Sequence, residues 1–275
     1  MVITSILTHT DCSAEPPAHL QCAVDLARRF QAVLIGLGAE AIPAKVVGRV
    51  GEVIARDMIT VLLETIDEDL KEARALFERA TPGIETHWVS GRGSPGALMC
   101  EICAQADLLV VSAPPPSKSG GWSIADTGEL IVRSGRPSLV VPPEKPHLSG
   151  DRVVVAWKNT TEARRAVAAA LPFLMTAQDV LLLMIGEPES RAHEVAVAQG
   201  VATNLRRHGV AVRVEWEGVS PKAPVTEQIL NHARWMGADL IVAGGYGHSR
   251  IGERILGGVT HKLLHQTERF VLFSH

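Results

Sequence analysis

The sequence predicts an α/β protein made of two similar halves, each a parallel sheet covered by helices on both faces. Short aliphatic segments alternate with longer segments whose apolar residues recur at helical spacing. Similar segments recur between the halves, and a late aliphatic segment leads directly into a loop rich in glycine. Together these observations are typical of a doubly wound α/β fold.

The composition limits the classes of function that fit. A chain of 275 residues, 46% hydrophobic and 21% charged, has the material for one large or two small globular domains. The net charge of −3, with basic residues only in short pairs, argues against a nucleic-acid partner. No apolar stretch reaches the roughly 18 residues of a membrane span, and residues 1–7 lack the basic start of a signal peptide. We therefore expect a cytoplasmic protein without a membrane partner.

The first half contains five candidate strands, because its β-branched and aliphatic runs are of the kind buried in parallel sheets. They lie near Thr4–Thr10, Val33–Leu37, Ile84–Val89, Leu108–Ser112 and Ser138–Val141. Helices fill the gaps, since Leu20, Val24 and Ala27 recur at helical spacing. A second helical pattern runs from Ile66 to Ala80 and ends before a Pro-Gly pair.

The second half repeats this alternation. Its strands are predicted near Val153–Trp157, Val180–Ile185, Val212–Trp216, Leu240–Ala243 and Phe270–Phe273. Its helices are predicted to begin near Thr160, Ser190, Thr226 and Gly257. A proline-rich linker, residues 142–147, separates the halves and is short and stiff. We expect two domains, 1–146 and 147–275.

Internal self-similarity supports this division. Ile6–Asp11 aligns with Val153–Lys158 at an offset of 147, whereas Ala106–Val111 aligns with Ala238–Ala243 at an offset of 132. The difference predicts 15 extra residues in the first half, between its second and third strands, and a match without gaps from the fourth strand onward.

The last strand of each half is predicted to lie at the interface between the halves. Phe270–Phe273 is too apolar for an exposed edge strand, so another element should cover it. We expect the halves to be related by a pseudo-twofold axis, with Ser138–Val141 and Phe270–Phe273 near it. The chain would then form its own pseudo-dimer, whether or not it also forms a homodimer.

The glycine-bearing loop is the candidate functional site. The run Asp239–Ala243 opens into Gly244-Gly245-Tyr246-Gly247, and after nine residues Gly257-Gly258-Val259-Thr260 begins the next helix. Glycines permit positive φ and close backbone approach, so amides can converge on an anion near a helix N-terminus. This pattern favours a phosphate site, and the alternative is a tight turn between a strand and a helix.

The spacing Gly244-x2-Gly247-x9-Gly257 resembles the nucleotide-binding motif of the universal stress protein family, whose usual form ends in Gly-Ser/Thr. Here Gly258 replaces the hydroxyl residue. The resemblance covers nearly the whole chain as a tandem protein. It implies two flavodoxin-like (Rossmann-like) domains, each with five parallel strands in the order 3-2-1-4-5, and ATP phosphates bound by the loop after the fourth strand.

The resemblance also implies that the halves differ. The family commonly has an Asp at the end of the first strand, which corresponds to Asp11 in the first half and Lys158 in the second. In the first half, prolines 114–116 follow the fourth strand, and an offset of 132 aligns Gly257 and Gly258 with Ala125 and Asp126. Prolines lack an N–H and a carboxylate repels phosphate. We expect the first half to be degenerate and structural.

The expected nucleotide site therefore lies in the second half. Its predicted residues are Ala156, Trp157, Lys158, Ile185, Gly244, Gly247, His248, Ser249, Gly257, Gly258, Val259 and Thr260. Lys158 suits an anion but cannot accept a ribose hydrogen bond, and it could equally be an exposed lysine. Trp157 could cover an adenine or pack beneath the first helix.

No catalytic or metal-binding group stands out. His261 and His265 share a helix face, but Lys262 occupies the place of the metalloprotease Glu. Cys100 and Cys103 have no second pair at zinc spacing. ATP-cleaving enzymes of this broad fold are expected to carry a Gly- and Ser-rich segment after the first strand, which is absent at 158–161.

The sequence thus predicts a non-enzymatic nucleotide-binding protein with a stress-response or signalling role. The expected ligand is ATP, alone or with Mg²⁺, and the alternatives are another nucleotide or phosphate. A nucleotide-free scaffold is the main rival function, and an ATP-cleaving enzyme is the lesser one.

Overall fold

The computed structural model describes residues 2–41, 56–114, 127–246, 258–266 and 268–275. Within these residues the first half has five strands: β1 (Ser5–His9), β2 (Val33–Glu40), β3 (Thr86–Arg92), β4 (Leu108–Ser112) and β5 (Ser138–Val141). Its helices are α1 (Ala18–Phe30), α2 (Arg56–Ala80), α3 (Pro95–Ile102) and α4 (Thr127–Arg133).

The second half has the same succession of elements. Its strands are β6 (Arg152–Ala156), β7 (Asp179–Gly186), β8 (Val212–Gly218), β9 (Leu240–Gly244) and β10 (Phe270–Ser274). Its helices are α5 (Thr161–Leu174), α6 (Arg191–Arg207), α7 (Val225–Trp235) and α8 (Gly258–Gln266). Predicted strands and helix starts agree with these bounds within a few residues. The predicted domain boundary falls in the segment between β5 and β6, and it stays a prediction.

All ten strands form one sheet in the order β3-β2-β1-β4-β5-β10-β9-β6-β7-β8. Each half is parallel and has the order 3-2-1-4-5, so the predicted fold class is confirmed. The halves join through antiparallel pairing of β5 with β10, in which Leu139 faces Leu272. The predicted position of the terminal strands at the interface is therefore correct, and β10 is buried.

The register corrects the alignment of the halves. Ile6 pairs with Leu108, and Val153 pairs with Leu240, which confirms the offsets of 147 and 132 at the first and fourth strands. Leu109 pairs with Ser138 but Ile241 pairs with Val271, so the offset at the fifth strand is 133. The predicted match without gaps was wrong by one residue.

This one-residue shift already affects the last helix of each half. The buried positions Thr127, Leu130 and Ile131 of α4 correspond at an offset of 133 to the buried Thr260, Leu263 and Leu264 of α8. The alignment of Gly258 with Asp126 is therefore displaced by one residue, and Asp126 lies outside the described residues. Asp126 therefore does not occupy the position of Gly258, and the expectation that its carboxylate repels phosphate there is no longer supported.

The insertion in the first half is also larger than predicted. Pairing of β2 with β3 and of β7 with β8 aligns Leu34 with Val180 and Thr86 with Val212, at offsets of 146 and 126. The first half thus has 20 extra residues between its second and third strands, not 15. Between the third and fourth strands the second half is six residues longer, because the offset rises from 126 to 132. The offsets at the first and fourth strands alone do not show these two opposite length differences.

Two cores sandwich the sheet, because successive strand residues point to opposite faces. Helices α1, α2, α5 and α6 cover one face, and α3, α4, α7 and α8 cover the other. The first core is continuous across the halves, where the rings of Phe30 and Phe173 meet edge to face with centroids 5.3 Å apart. Within the described ranges, no helix is long and apolar enough to cross a membrane.

The halves fill this core with different partners. A Cβ atom on Gly36 would lie 2.6 Å from the Phe77 ring, and one on Gly38 would lie 2.6 Å from Trp88. At the equivalent strand positions the second half has Leu182 and Met184. In the first half, aromatic rings therefore fill the space above small strand residues. In the second half, larger side chains of the strand itself occupy the equivalent positions.

An aspartate anchors the start of the sheet in each half. Asp107 Oδ2 accepts from the amides of Thr4 and Ser5 at 2.8 and 3.1 Å, and Asp239 Oδ2 accepts from the amides of Ser149 and Gly150 at 2.9 and 3.0 Å. These bonds tie the chain before β1 and β6 to the start of β4 and β9. The repeated Ala-Asp pair therefore has a structural role.

Candidate functional site

The strand order of the second half reverses at β6. Ala156 pairs with Leu183 of β7 on one side and with Ala243 of β9 on the other. The chain leaves β6 toward α5 on one face, whereas α7 and α8 pack on the opposite face. The carboxyl ends of β6 and β9 therefore flank a switch point, where ligands bind in open α/β sheets.

Gly244 brings the start of α5 against the end of β9. A Cβ atom at this position would lie 2.8 Å from the backbone nitrogen of Ala163 and 3.0 Å from Glu162. Thr160 caps the helix, with Oγ1 accepting from Ala163 N at 3.3 Å. A side chain at Gly244 would displace this helix start, so the close approach requires glycine.

Gly245 contacts the first half of the chain. A Cβ atom here would lie 2.6 Å from Cγ2 of Ile131 in α4, and the Gly245 amide donates to Ser274 O at 2.9 Å. This glycine is needed for packing at the interface between the halves. The sequence analysis missed this role, because only the tertiary structure brings Ile131 to the loop.

Tyr246 and Thr260 join the two described parts of the glycine loop. Tyr246 adopts a left-handed conformation with φ +52°, and its amide donates to Thr260 Oγ1 at 3.2 Å. Thr260, in the first turn of α8, is buried, and the preceding Val259 packs on the core. Gly258 is exposed, and no atom lies within 4 Å of its Cβ position.

The remaining strand-end residues divide between core and surface. Trp157 is buried with the α5 and α6 core, and its amide donates to Leu183 O at 2.8 Å. This favours the packing interpretation of Trp157. Lys158 is exposed at the sheet edge, and Ile185 is half-buried on the opposite face.

Four of the predicted site residues, Gly247, His248, Ser249 and Gly257, lie outside the described residues. Among the others, the structure places Ala156, Lys158 and Gly244 along one edge of the sheet and joins the loop after Gly244 to Thr260. It turns the Trp157 side chain into the core.

The same edge of the first half has a different chemistry. His9 replaces Ala156 at the end of the first strand, is buried, and places Nε2 3.3 Å from Ala39 O. Burial lowers the pKa of His9 to about 4 and also lowers the pKa of the neighbouring His19, so both are neutral at pH 7. His19 Nε2 lies 2.9 Å from His9 O.

Three carboxyl groups, of which Asp11 interacts with both histidines, lie at this edge of the first half. Partial burial, followed by the repulsion of Asp69, raises the pKa of Glu40 at the end of β2, and Asp11 adds to this effect. The sequence analysis found Asp11 but missed Glu40 and Asp69. The position of Glu40 at a predicted strand end could have indicated it, whereas Asp69 comes from the middle of α2.

The described residues hold no cluster of three or more His, Cys, Asp or Glu side chains arranged for a metal ion. His261 and His265 stack with ring centroids 4.2 Å apart, and His265 Nδ1 lies 2.9 Å from the His261 carbonyl oxygen. That bond engages one ring nitrogen with the helix backbone.

The fold is that of a tandem α/β protein. Within the described residues, one of its two switch points is followed by a glycine loop. Residues 150–274, most of the second half, match the model of the Universal stress protein family. Curated proteins yielded no match.

Solved structures extend the likeness of fold to both halves. A universal stress protein from Archaeoglobus fulgidus DSM 4304 is 18% identical, with 98% of this chain and 94% of that chain covered and a TM-score of 0.70. A protein of unknown function from Pseudomonas aeruginosa PAO1 is 18% identical, with 98% and 92% covered and a TM-score of 0.60. Both cover nearly all of this chain.

Proposed function

We propose that the second half binds ATP, alone or with Mg²⁺, at the switch point between β6 and β9. The observation that carries this proposal is the contact of Gly244 with the capped start of α5, since helix amides and a glycine loop at a strand switch point form an anion site. The match of residues 150–274 to the Universal stress protein family supports it.

The proposed roles follow from position. Lys158, exposed at the same edge, supplies a cation for the phosphates, and the backbone of Gly244, Gly247 and Gly257 supplies amide donors. Ala156 and Ile185 would contact the nucleoside. Trp157 offers little ring surface to an adenine because it is buried.

The first half does not fit an anion. Asp11 and Glu40 place carboxyl groups at its strand ends, Asp69 of α2 lies next to Glu40, and Pro114 after β4 has no N–H to donate. We infer one nucleotide per chain. The protein then acts as a non-enzymatic, cytoplasmic ligand sensor in a stress response, with a degenerate domain at 1–146 and a binding domain at 147–275.

A nucleotide-free scaffold is the second candidate, and a specific observation favours it. The two described glycines before Tyr246 have packing reasons, since Gly244 accommodates α5 and Gly245 accommodates Ile131. A tight turn between packed elements would need the same two glycines without a ligand.

Calorimetry with ATP, with and without Mg²⁺, tests the proposal. We expect one site per chain and at least a tenfold loss of affinity in Lys158→Glu, whose exposed side chain makes a folding defect small. Asp11→Asn in the first half is the matched control and should bind like the unaltered chain. Two equivalent sites contradict the proposal, absence of binding supports the scaffold, and steady release of ADP and phosphate supports an enzyme.

A further inference from the structure

A groove separates α5 from α6 on one face of the second half. The volume of this open groove is about 590 Å³. Its floor is apolar and consists of Trp157, Val167, Leu171, Val197, Val201 and Leu205. This size and lining match small-molecule sites, which measure roughly 300–1,000 Å³ and are mainly apolar with a few polar groups.

The polar groups of the groove are cationic or neutral. Arg164 lies near the start of α5, and Asn204 and His208 lie at the end of α6. The Arg164 guanidinium donates to Asn159 Oδ1 at 2.7 Å and to Thr161 Oγ1 at 3.3 Å, which holds it at the groove. None of the described lining residues is acidic. The charge therefore suits an anionic group at one end of an apolar body.

The corresponding helix of the first half carries the same apolar positions, but they are more fully covered. The buried positions of α1 and α5 coincide at an offset of 147, which aligns Leu20 with Val167 and Val24 with Leu171. Leu20 and Val24 are buried, and α1 packs against α2. Leu171 is only half-buried.

The cause of the opening lies in the small residues of α6. Gly200 lines the groove, is exposed, and has no atom within 4 Å of its Cβ position. A glycine inside a 17-residue helix costs helix stability relative to other residues. No packing contact explains why position 200 is glycine, whereas the space that a ligand would need in the groove explains it.

We propose that this groove binds an amphipathic anion: a small molecule with an unbranched apolar chain and one carboxylate. The chain lies along the floor between α5 and α6, and the carboxylate faces Arg164. From Val197 to Leu205 the floor follows α6 for about 12 Å, given a rise of about 1.5 Å per residue. The proposal is independent of nucleotide binding at the β6–β9 switch point.

Titration calorimetry with octanoate, decanoate and dodecanoate tests the apolar part of the site. Each added methylene should tighten binding about fourfold while it still fits on the floor, because it buries further apolar area. Decanol should bind with lower affinity than decanoate. Arg164→Gln should weaken decanoate about fivefold and leave decanol unchanged, since only the carboxylate contacts an exposed arginine.

Gly200→Leu fills the groove and tests its location. The melting temperature should rise by about 2–4 °C, because leucine favours the helix and meets open space. Decanoate affinity should fall at least tenfold. Gln199→Leu, an exposed neighbour that does not line the groove, is the matched control and should bind normally. Ala168→Phe is a second blocking variant from α5.

Three results would overturn the proposal. Decanoate binding that persists in folded Gly200→Leu places the ligand elsewhere. Binding without any dependence on chain length shows a simple ion contact. In the third result, the unaltered chain binds no carboxylate but sediments as a dimer, and Gly200→Leu dissociates this dimer. The groove would then bind a second copy of the chain.

Discussion

The two halves share a strand order but differ at the edge where their strands end. The first half ends β1 with buried His9 and brings Asp11, Glu40 and Asp69 nearby. The second half has Ala156 and the exposed Lys158 at the corresponding positions. Strand pairing and core packing thus preserve the fold, while a few residues beyond the strand ends change the charge from acidic to basic.

The core shows that the same sheet can be packed in two ways. Phe77 fills the space over Gly36, whereas the equivalent strand position of the second half is Leu182. We expect Phe77→Ala to lower the free energy of unfolding by about 3–5 kcal/mol, as for other buried aromatic truncations. Denaturant unfolding measures this, with the exposed Glu78→Ala as a control for the helix.

Gly36→Leu sharpens this comparison. Alone it should cost about 1–3 kcal/mol, because its side chain meets the Phe77 ring. Combined with Phe77→Ala it supplies the side-chain volume from the strand, as Leu182 does in the second half, and should recover part of the lost stability. If the stability losses of the two single variants simply add in the double variant, side-chain volume on the strand does not replace the volume lost from the helix.

The buried His9 predicts a pH dependence that its counterpart Ala156 lacks. Its pKa is lowered from 6.5 to about 4, so the unfolded chain binds more protons between these values. Stability should therefore fall by on the order of 3 kcal/mol as the pH drops from about 6.5 to about 4, and then level off for this group. His19, whose pKa is also lowered, adds to the loss.

His9→Ala breaks the asymmetry at this position. The variant loses a buried side chain and its contact with Ala39 O, so its stability at pH 8 should be lower. The decisive quantity is the slope between pH 7 and pH 4, which should become shallower in chemical unfolding. An unchanged slope would show that His9 is protonated without cost in the folded protein.

The fold could be predicted from the sequence to a large extent, because the period of buried positions differs between strands and helices. The repeat offsets at β1 and β4 were also correct. The one-residue shift before β5 was not detected, since Leu139 and Val140 fit the apolar pattern at either offset. Gly245 was assigned to a phosphate loop because its neighbour Ile131 is distant in sequence.

The paired aspartates offer a smaller test of equivalence. Hydrogen bonds from Thr4 and Ser5 lower the pKa of Asp107 although partial burial opposes this, so its stabilisation is lost as the pH falls below about 3.8. Asp107→Asn should cost about 1–2 kcal/mol at pH 7. Asp239→Asn should cost less, because Asp239 accepts from two amides among the described residues, whereas Asp107 accepts from two amides and two hydroxyls.

The smallest expected effect concerns Gly258, where the family motif has a hydroxyl residue. The position is exposed and no atom lies within 4 Å of a Cβ there, so Gly258→Ser should fold normally. If the second half holds phosphate at this loop, the added hydroxyl can donate one hydrogen bond, and ATP affinity should rise about three- to tenfold. Calorimetry measures this against Gly258→Ala, which adds the Cβ without the donor. If the two variants bind ATP with equal affinity, the residue at position 258 does not contact the ligand.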